Sequence, residues 1–359
     1  MISSVKSRNI TLIIASLLPF QYLLVRWLSK YPSTVEQYYS KGAYPYISKA
    51  LRLLFGWIPF SVGEVLGLIL IVALVKSIYG LFTGKFKKII SVLLNLIASI
   101  SIIYFCFYAF WGLNYFREPL AKNLKLKTSK YTNIQLFLTS QKIVELLNQS
   151  HFNITQNDTV RVVVPYSSKQ IFALALKGFT DLAKEYPQLA YSTSSIKNSA
   201  LSLFQSYSGT SGYLNPISGE AQVNYQIPKN SFPVTTCHEI AHQIGWAAEN
   251  DANFIGFLAS IYHANAYFRY AGYRMAFQYC ISQLQKRDAI LAKQIKRKVN
   301  KGIFKDFNNS YLHWKKYENP MEPYFKKAYH SYLKANKQKK GIDSYDYVVD
   351  LLIAYFKNK

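Results

Sequence analysis

Three long apolar segments in the first third of the chain set the strongest limit on its fold. They cover residues of about 10–28, 60–82 and 89–113, and they contain few charged side chains. A helix needs about 20 apolar residues to cross the hydrocarbon core of a bilayer, and each segment approaches or exceeds this length. Core helices of a soluble protein are shorter and usually show a polar face. We therefore predict a membrane anchor of three transmembrane helices over residues 1–113.

Two features of these segments leave alternatives open. Two charged residues, Glu64 and Lys76, interrupt the second segment. Glu64 is near its start, where an acidic side chain can lie at the membrane–water interface, and Lys76 can extend its ammonium group towards water. The first segment has the character of a signal peptide, but no small-residue cleavage site follows it and further apolar segments do. We interpret all three as membrane spans.

Basic residues around the segments predict the orientation of the chain. The short loop Thr83–Lys88, with the sequence TGKFKK, carries three lysines, and Lys6 and Arg8 precede the first span. Cytoplasmic loops carry an excess of Lys and Arg, so this loop and the N-terminus are expected in the cytoplasm. Three spans then place residues 114–359 outside the cytoplasm. Residues 29–59 would lie outside as well, although they too include several basic side chains.

The whole chain is strongly basic, with 43 Lys and Arg against 18 Asp and Glu and a net charge of +25. Such a charge suits either nucleic acid or an anionic membrane surface. The excess is spread along the chain, and there is no compact basic motif or nucleic-acid fold signature. We therefore expect the lipid bilayer as a partner and no nucleic acid. The spacing of the three cysteines indicates neither a disulfide framework nor a CxxC metal site.

Residues 114–359 have the pattern of an α+β domain that is mostly helical. Helical periodicity marks Ile134–Leu147 and Lys169–Lys184, and nearly everything after Val234 is predicted to be helical. The β-branched residues of Asp158–Tyr166 predict a strand. We expect a small sheet among many helices.

The motif HEIAH, residues 238–242, concentrates metal-binding chemistry in five positions. His238 and His242 are four residues apart, which on a helix puts both imidazoles on one face and supplies two ligands for a zinc ion. Glu239 lies next to the first histidine, where a carboxylate can act as general base towards a water molecule. We predict a Zn²⁺ site here, against the alternative of an ordinary surface pair of histidines.

A catalytic zinc site needs a third protein ligand, and two histidines are often joined by a carboxylate. Glu249 lies seven residues beyond His242, which on an unbroken helix is about 10 Å along the axis and too far to share a metal. Gly245 lies between them, where a left-handed glycine can end the helix and let the chain fold back. We favour Glu249 as the third ligand, with Asp251 in reserve.

The segment resembles the gluzincin-type zinc metallopeptidases, which pair HExxH with a later Glu-x-x-x-Asp. In that pattern the glutamate binds zinc and the last residue steadies a ligand histidine, and Asn253 takes the last place in this sequence. The very short gap and the Asn depart from the pattern. Metzincins, with HExxHxxGxxH, would require a histidine at Ala248, so their standard site is excluded.

Zinc peptidases commonly have a strand beside the site that can pair with an extended substrate. Strict alternation over Glu220–Gln226 predicts a half-buried strand just before the motif, with Gln222 and Asn224 on its polar face. We expect these two residues to line the substrate. Tyr213 and His330 are candidates for polarising a substrate carbonyl, and the sequence does not decide between them.

The layout as a whole is similar to a bacterial family catalogued as domain of unknown function 3810. Its members share three N-terminal spans, a strand like SGEAQVN, and HExxH followed by an acidic-Ala-Asn-Phe segment. The resemblance covers most of the chain but implies no established function.

The site leads us to expect a membrane-anchored zinc-dependent metallopeptidase that hydrolyses peptide bonds in an unidentified peptide or protein. The alternative is a non-catalytic membrane scaffold or envelope-binding protein that retains the zincin fold. Glu239 discriminates between the two, because hydrolysis requires a base and binding does not. Proteolysis within the membrane fits less well, because the motif is polar and far from the three spans.

Overall fold

The computed structural model describes residues 2–83, 86–338, 341 and 347–357, which are mostly helical. The chain divides into two compact units. A membrane unit comprises Met1–Glu118 with Asn215–Glu220, and a C-terminal unit comprises Pro119–Leu214 with Ala221–Lys359. The boundary predicted after residue 113 lies close to the first of these divisions.

The membrane unit is mostly helical in its described residues. Its elements are α1 (Ile2–Leu28), α2 (Pro32–Thr34), a π-helix (Val35–Ala43), α3 (Tyr44–Phe55), α4 (Val62–Thr83), α5 (Phe86–Phe110) and a 3₁₀-helix (Gly112–Phe116). Three stretches are long and apolar enough to cross a membrane, at Arg8–Leu28, Val62–Gly80 and Ile89–Phe110. This confirms the three predicted spanning helices. Residues 84 and 85 of the basic loop lie outside the described residues.

The Asn215–Glu220 segment of the membrane unit closes the N-terminal end of α4. The Glu220 carboxylate is fully buried and accepts hydrogen bonds from the backbone N–H groups of Val62 (3.2 Å) and Gly63 (2.7 Å). A carboxylate at this end of a helix satisfies free N–H donors and interacts favourably with the helix dipole. The approach is close, because a Cβ on Gly63 would overlap the Asn215 side chain. Glu220 is therefore the cap of a membrane-spanning helix.

The C-terminal unit is a helical domain with one small sheet. Its helices are α6 (Leu120–Asn123), α7 (Asn133–Thr155), α8 (Ser168–Glu185), α9 (Ser202–Ser208), α10 (Phe232–Gln243), α11 (Glu249–Ile261), α12 (Ala266–Arg287), α13 (Ala289–Lys296), α14 (Lys301–Lys315), α15 (Glu322–Ala335) and α16 (Val348–Lys357). A 3₁₀-turn occupies Pro187–Leu189. The strands are β1 (Ile196–Asn198), β2 (Gly212–Leu214) and β3 (Ala221–Val223).

Local sequence signals explain where the two best-predicted helices begin. Capping boxes start α7 at Thr132 with Gln135 and α8 at Ser167 with Gln170, so free backbone donors are satisfied by side chains. Both helices bury a face against the core, which includes Phe179 of α8. The predicted helical segments lie within α7 and α8, and those predictions are confirmed.

The predicted strand at Asp158–Tyr166 is wrong, because this segment is extended but pairs with no strand among the described residues. Its alternation is real, since Val162 is buried and Val163 is exposed. Its backbone is bound by side chains instead of by a ladder. Val162 N–H donates to Asp306 Oδ2 (3.2 Å), and the Val160 carbonyl accepts from His151 (2.8 Å). An alternation of apolar and polar residues therefore indicates a half-buried segment, and it does not show that a partner strand is present.

The strand around Gln222 and Asn224 also differs from expectation. β3 lies in the middle of the sheet, parallel to β1 and antiparallel to β2, so both of its edges are occupied. Gln222 and Asn224 are fully buried, and the Asn224 side chain bonds Ser206 Oγ (3.0 Å) and the Thr210 carbonyl (3.1 Å). The strand that was predicted to be half-buried is therefore buried on both faces, and the edge strands of the sheet are β1 and β2. That Gln222 and Asn224 line a substrate stays a prediction.

Candidate metal centre

The two motif histidines project from the C-terminal half of α10. His238 and His242 are one helical turn apart, and their ring centroids are 4.6 Å apart. The helix is held close to α11 by Gly256, where a Cβ would lie 3.1 Å from the backbone nitrogen of His238. This close packing fixes the histidines relative to the first turn of α11.

The chain reverses immediately after the motif. Gly245 has φ +91°, and its N–H bonds the His242 carbonyl (3.0 Å) while Trp246 N–H bonds the Ala241 carbonyl (3.0 Å). These two bonds form a Schellman motif, which ends a helix with a left-handed glycine. The helix break predicted at Gly245 is confirmed. The next helix, α11, begins with Glu249 as its first residue.

The reversal brings Glu249 to the two histidines. Glu249 Oε2 lies 3.4 Å from His238 Nε2, and Glu249 Oε1 lies 3.8 Å from His242 Nε2. One ligand atom from each of the three residues lies within 4.8 Å of the others. Ligand atoms of a tetrahedral zinc site, with bonds of about 2.0–2.1 Å, are separated by about 3.3 Å. The three side chains thus have the spacing of a metal-binding set.

The protonation of two of these three residues suits a cation. Burial would raise the pKa of Glu249, but the hydrogen bond from His238 and the charges of both histidines outweigh it and lower the pKa to about 2. Burial lowers the pKa of His242 to about 4. The pKa of His238 is raised, because its contacts with Glu249 and the charge of Glu239 outweigh the opposing effect of burial. An ionised Glu249 and a neutral His242 are ligand forms that zinc binds, whereas a metal ion would have to displace a proton from a protonated His238.

A second contact orients His242. Its Nδ1 lies 2.7 Å from the Trp246 carbonyl oxygen, so the Nδ1–H donates to that oxygen and the unprotonated nitrogen is Nε2, which faces Glu249. Trp246 belongs to the turn that Gly245 creates. The same turn therefore positions Glu249 and sets the tautomer of His242.

Asp251 and Asn253 take different places. Asp251 Oδ2 accepts a hydrogen bond from the backbone N–H of Leu120 (3.2 Å), and Oδ1 accepts one from Asn250 (2.7 Å). Asp251 is therefore not part of the cluster, although it had been kept in reserve as a ligand. The Asn253 side chain contacts His238 and contributes to the raised pKa of its imidazole.

Glu239 lies beside the cluster and not within it. It is 2% exposed, and its Oε2 has no hydrogen-bond partner among the described residues. Burial raises the pKa of its carboxyl to about 8, with the charge of His238 opposing and that of Glu249 adding to the rise. An unpartnered buried carboxylate is costly for folding, which indicates a role other than stability.

Gly212 of β2 makes room for this carboxylate. A Cβ at Gly212 would lie 2.5 Å from Glu239 Oε1 and 2.7 Å from the Gln222 carbonyl oxygen. Only a glycine fits between the strand and the acid. Tyr213, one of the two candidates for polarising a carbonyl, is the next residue on this strand, whereas the His330 ring lies against Gly341.

Sequence reasoning missed one residue at the site. The Tyr329 hydroxyl, on α15, donates a 2.6 Å hydrogen bond to Glu249 Oε1. Tyr329 is one of 30 tyrosines and lies 80 residues from Glu249, so no local pattern marks it. Cys237, next to His238, is fully buried in the hydrophobic core, and burial raises the pKa of its thiol to about 12, as expected for a packing residue.

Comparison with known proteins identifies the family of the chain and gives no information on an activity. No curated protein and no solved structure matches the chain. The family described as protein of unknown function (DUF3810) matches residues 39–353, a span that includes two of the three spanning helices and the complete metal-binding set. The chain therefore belongs to the DUF3810 family.

Proposed function

We propose that this protein is a membrane-anchored zinc metallopeptidase. The observation that carries the proposal is the convergence of His238, His242 and Glu249 beside the buried, unpartnered carboxylate of Glu239. Two histidines and a glutamate are a ligand set of catalytic zinc sites, and such sites keep one position open for water or substrate. A purely structural zinc site is usually closed by four protein ligands, which the described residues do not bring together here.

The side chains divide the chemistry between them. His238, His242 and Glu249 would hold the ion, and the Trp246 carbonyl and the Tyr329 hydroxyl would orient two of these ligands. When bound, zinc supplies Lewis acidity towards a carbonyl oxygen and a water molecule. Everything else in the reaction falls to the protein.

Glu239 would move the proton. Its carboxylate takes a proton from the attacking water as the water oxygen bonds to the peptide carbonyl carbon. It then gives that proton to the amine nitrogen as the C–N bond breaks. A pKa raised to about 8 by burial suits a group that must both accept and return a proton near neutral pH.

The edge of β2 supports a peptide as the substrate. In its antiparallel pairing with β3, Tyr213 and Gln222 are a hydrogen-bonded pair, so the backbone groups of Gly212 and Leu214 point towards the other edge. No strand in the described residues pairs with that edge. An extended peptide added there would lie beside Glu239, which contacts the strand at Gly212.

The proposal is tested first by metal content. Purified protein is expected to contain about one zinc per chain, and the double variant His238→Ala, His242→Ala is expected to contain almost none, because two of three ligands are gone. His313→Ala, on α14 and outside the cluster, serves as the control and should keep its zinc. Elemental analysis of the three proteins decides. Equal zinc in the wild type and the double variant would refute the site.

Tyr329→Phe is expected to weaken zinc binding about 10-fold, because it removes the hydroxyl that holds the Glu249 carboxylate and leaves the ring in place. Competition between the protein and a chelating dye measures the affinity. Tyr324→Phe, an exposed tyrosine on the same helix, is the matched control and should bind zinc like the wild type. Identical affinities for all three proteins would mean that the hydroxyl does not support the ligand.

The proposal also places the C-terminal unit outside the cytoplasm. Three spans and the lysines of Thr83–Lys88 support this orientation. Alkaline phosphatase, which is active only outside the cytoplasm, is expected to be active when fused after Asn114 and inactive when fused after Thr83. A cytoplasmic fluorescent reporter should give the reverse pattern. If only the fusion after Thr83 had phosphatase activity, the orientation of the chain in the membrane would be the opposite of the one proposed.

A further inference from the structure

A cleft of about 400 Å³ lies in the C-terminal unit and is lined by residues of α9, α14 and α15. This volume falls within the range of small-ligand sites. The apolar side chains that line it are aromatic: Tyr207, Tyr311, Trp314 and Tyr317. None of its described lining residues is aliphatic. A cleft for an acyl chain or an aliphatic peptide side chain would have such residues, so its ligand has a different chemistry.

The charged groups of the cleft balance one another. Lys315 and Lys326 face Glu318 and Glu322, and Lys326 forms a 2.5 Å ion pair with Glu322. Nucleic acids and anionic lipid headgroups are bound by an excess of positive charge. A cleft with no such excess favours an uncharged ligand that is rich in hydrogen-bonding groups.

The aromatic wall is held in place before any ligand binds. The rings of Tyr207 and Tyr317 meet edge to face with centroids 5.4 Å apart. The Tyr317 hydroxyl bonds Gln226 Oε1 (3.2 Å), and Asn319 Nδ2 donates to the Tyr207 carbonyl (2.8 Å). Side chains fixed in this way lose little conformational freedom on binding.

Two elements connect the cleft to the metal centre. Glu322 and Lys326 of α15 line the cleft, and Tyr329, which bonds Glu249, follows on the same face of the helix about 4.5 Å further along the axis. Ser211 lines the cleft as well, and the next residue, Gly212, contacts Glu239. A molecule in the cleft would therefore lie beside the candidate reaction site.

We propose that this cleft is a saccharide-binding subsite. The C–H face of a sugar ring stacks on an aromatic ring, while its hydroxyls bond carboxylates, ammonium groups and serines, and the cleft offers both kinds of partner without net charge. Taken with the proposed function, on which this last step rests, the substrate is a peptide that carries a sugar, with the sugar in the cleft and the peptide along β2.

The test measures binding of three neutral tetrasaccharides, tetra-N-acetylchitotetraose, cellotetraose and maltotetraose, to the full chain in lipid nanodiscs, because sugar-headed detergents would compete. At least one is expected to bind. Tyr311→Ala, which removes a ring that is 57% exposed, should weaken that binding about three- to tenfold, and Tyr311→Phe should restore it. Tyr324→Ala, a 67% exposed tyrosine outside the cleft lining, is the matched control and should bind like the wild type.

The outcomes separate this inference from the proposed function. Binding should persist in the His238→Ala, His242→Ala variant, since the cleft contains neither histidine. Peptide hydrolysis without binding of any of the three saccharides would overturn the subsite and leave the peptidase intact. A second outcome would also overturn the subsite. If the protein bound none of the saccharides but bound N-acetylphenylalanine amide, and Tyr311→Ala weakened that binding, the cleft would be a pocket for an aromatic peptide side chain. If the protein bound a saccharide but hydrolysed no peptide, the subsite would be supported and the proposed peptidase function would be refuted.

Discussion

Glu239→Gln is expected to keep its zinc and to lose hydrolysis by about 10²- to 10⁴-fold. Glu239 lies outside the set formed by His238, His242 and Glu249, so its replacement leaves all three ligands in place. Glutamine has the same size and fits the same space beside Gly212, but its amide cannot take a proton from water. Glu239 Oε2 is buried without a hydrogen-bond partner among the described residues, so replacing the carboxylate spares the fold an unfavourable group and the variant should be at least as stable as the wild type.

The measurement pairs zinc analysis with a cleavage assay on casein or a broad peptide library, because the substrate is unidentified. Glu145→Gln is the matched control, since it makes the same exchange at an exposed position on α7. Zinc retained with hydrolysis lost supports the peptidase. The scaffold alternative would be favoured if zinc-loaded wild type cleaved nothing in the library and the Glu239→Gln variant retained full biological function.

Glu249→Gln is expected to lower zinc affinity by more than about 100-fold. Removing a group that only contacts a metal ligand typically lowers metal affinity about 10- to 100-fold. Glu249 would itself supply a ligand atom and a negative charge, so its loss should cost more. Its low pKa, about 2, arises from His238 and His242, so the charge that they stabilise is the one that a cation would use. A neutral amide at this place retains the shape of the site and loses that charge.

Asp251→Asn is the matched control for Glu249→Gln. It also removes one negative charge near the start of α11, but the lost contact is a hydrogen bond to the backbone of Leu120 and not a metal ligand. A stability loss of about 1–3 kcal/mol with nearly unchanged zinc affinity is the expected result. Zinc lost in Asp251→Asn and kept in Glu249→Gln would show that the wrong carboxylate had been assigned.

The clustering of His238, His242 and Glu249 could be predicted from sequence because its parts are local. The spacing of His238 and His242 is set by helical periodicity, and the break at Gly245 follows from the left-handed conformation that glycine adopts readily. Glu249 could then be predicted, because the helix must end at Gly245 before the chain can fold back towards the two histidines. Each of these inferences needs only neighbouring residues.

The parts that could not be predicted depend on contacts between distant residues. Tyr329 reaches Glu249 from another helix, and the position of β3 within the sheet depends on β1 and β2, which are each three residues long and have no clear pattern. Asp158–Tyr166 has the alternation of a strand, but its backbone partners are side chains on α7 and α14. Periodicity shows which side chains are buried, and it does not show what pairs with the backbone.

The capping of α4 by Glu220 means that no single cut divides this chain into two intact parts. A protease acting near residue 118 would release a fragment that carries Asn215–Glu220 without the N–H groups of Val62 and Gly63. In the released fragment the Glu220 carboxylate would meet water in place of these donors, so the loop that joins β2 to β3 would lose its anchor. Since Gly212 of β2 contacts Glu239, shedding from the membrane would loosen the reaction site itself. Under the proposed function, release from the membrane is therefore expected to lower activity and not to liberate an intact soluble peptidase.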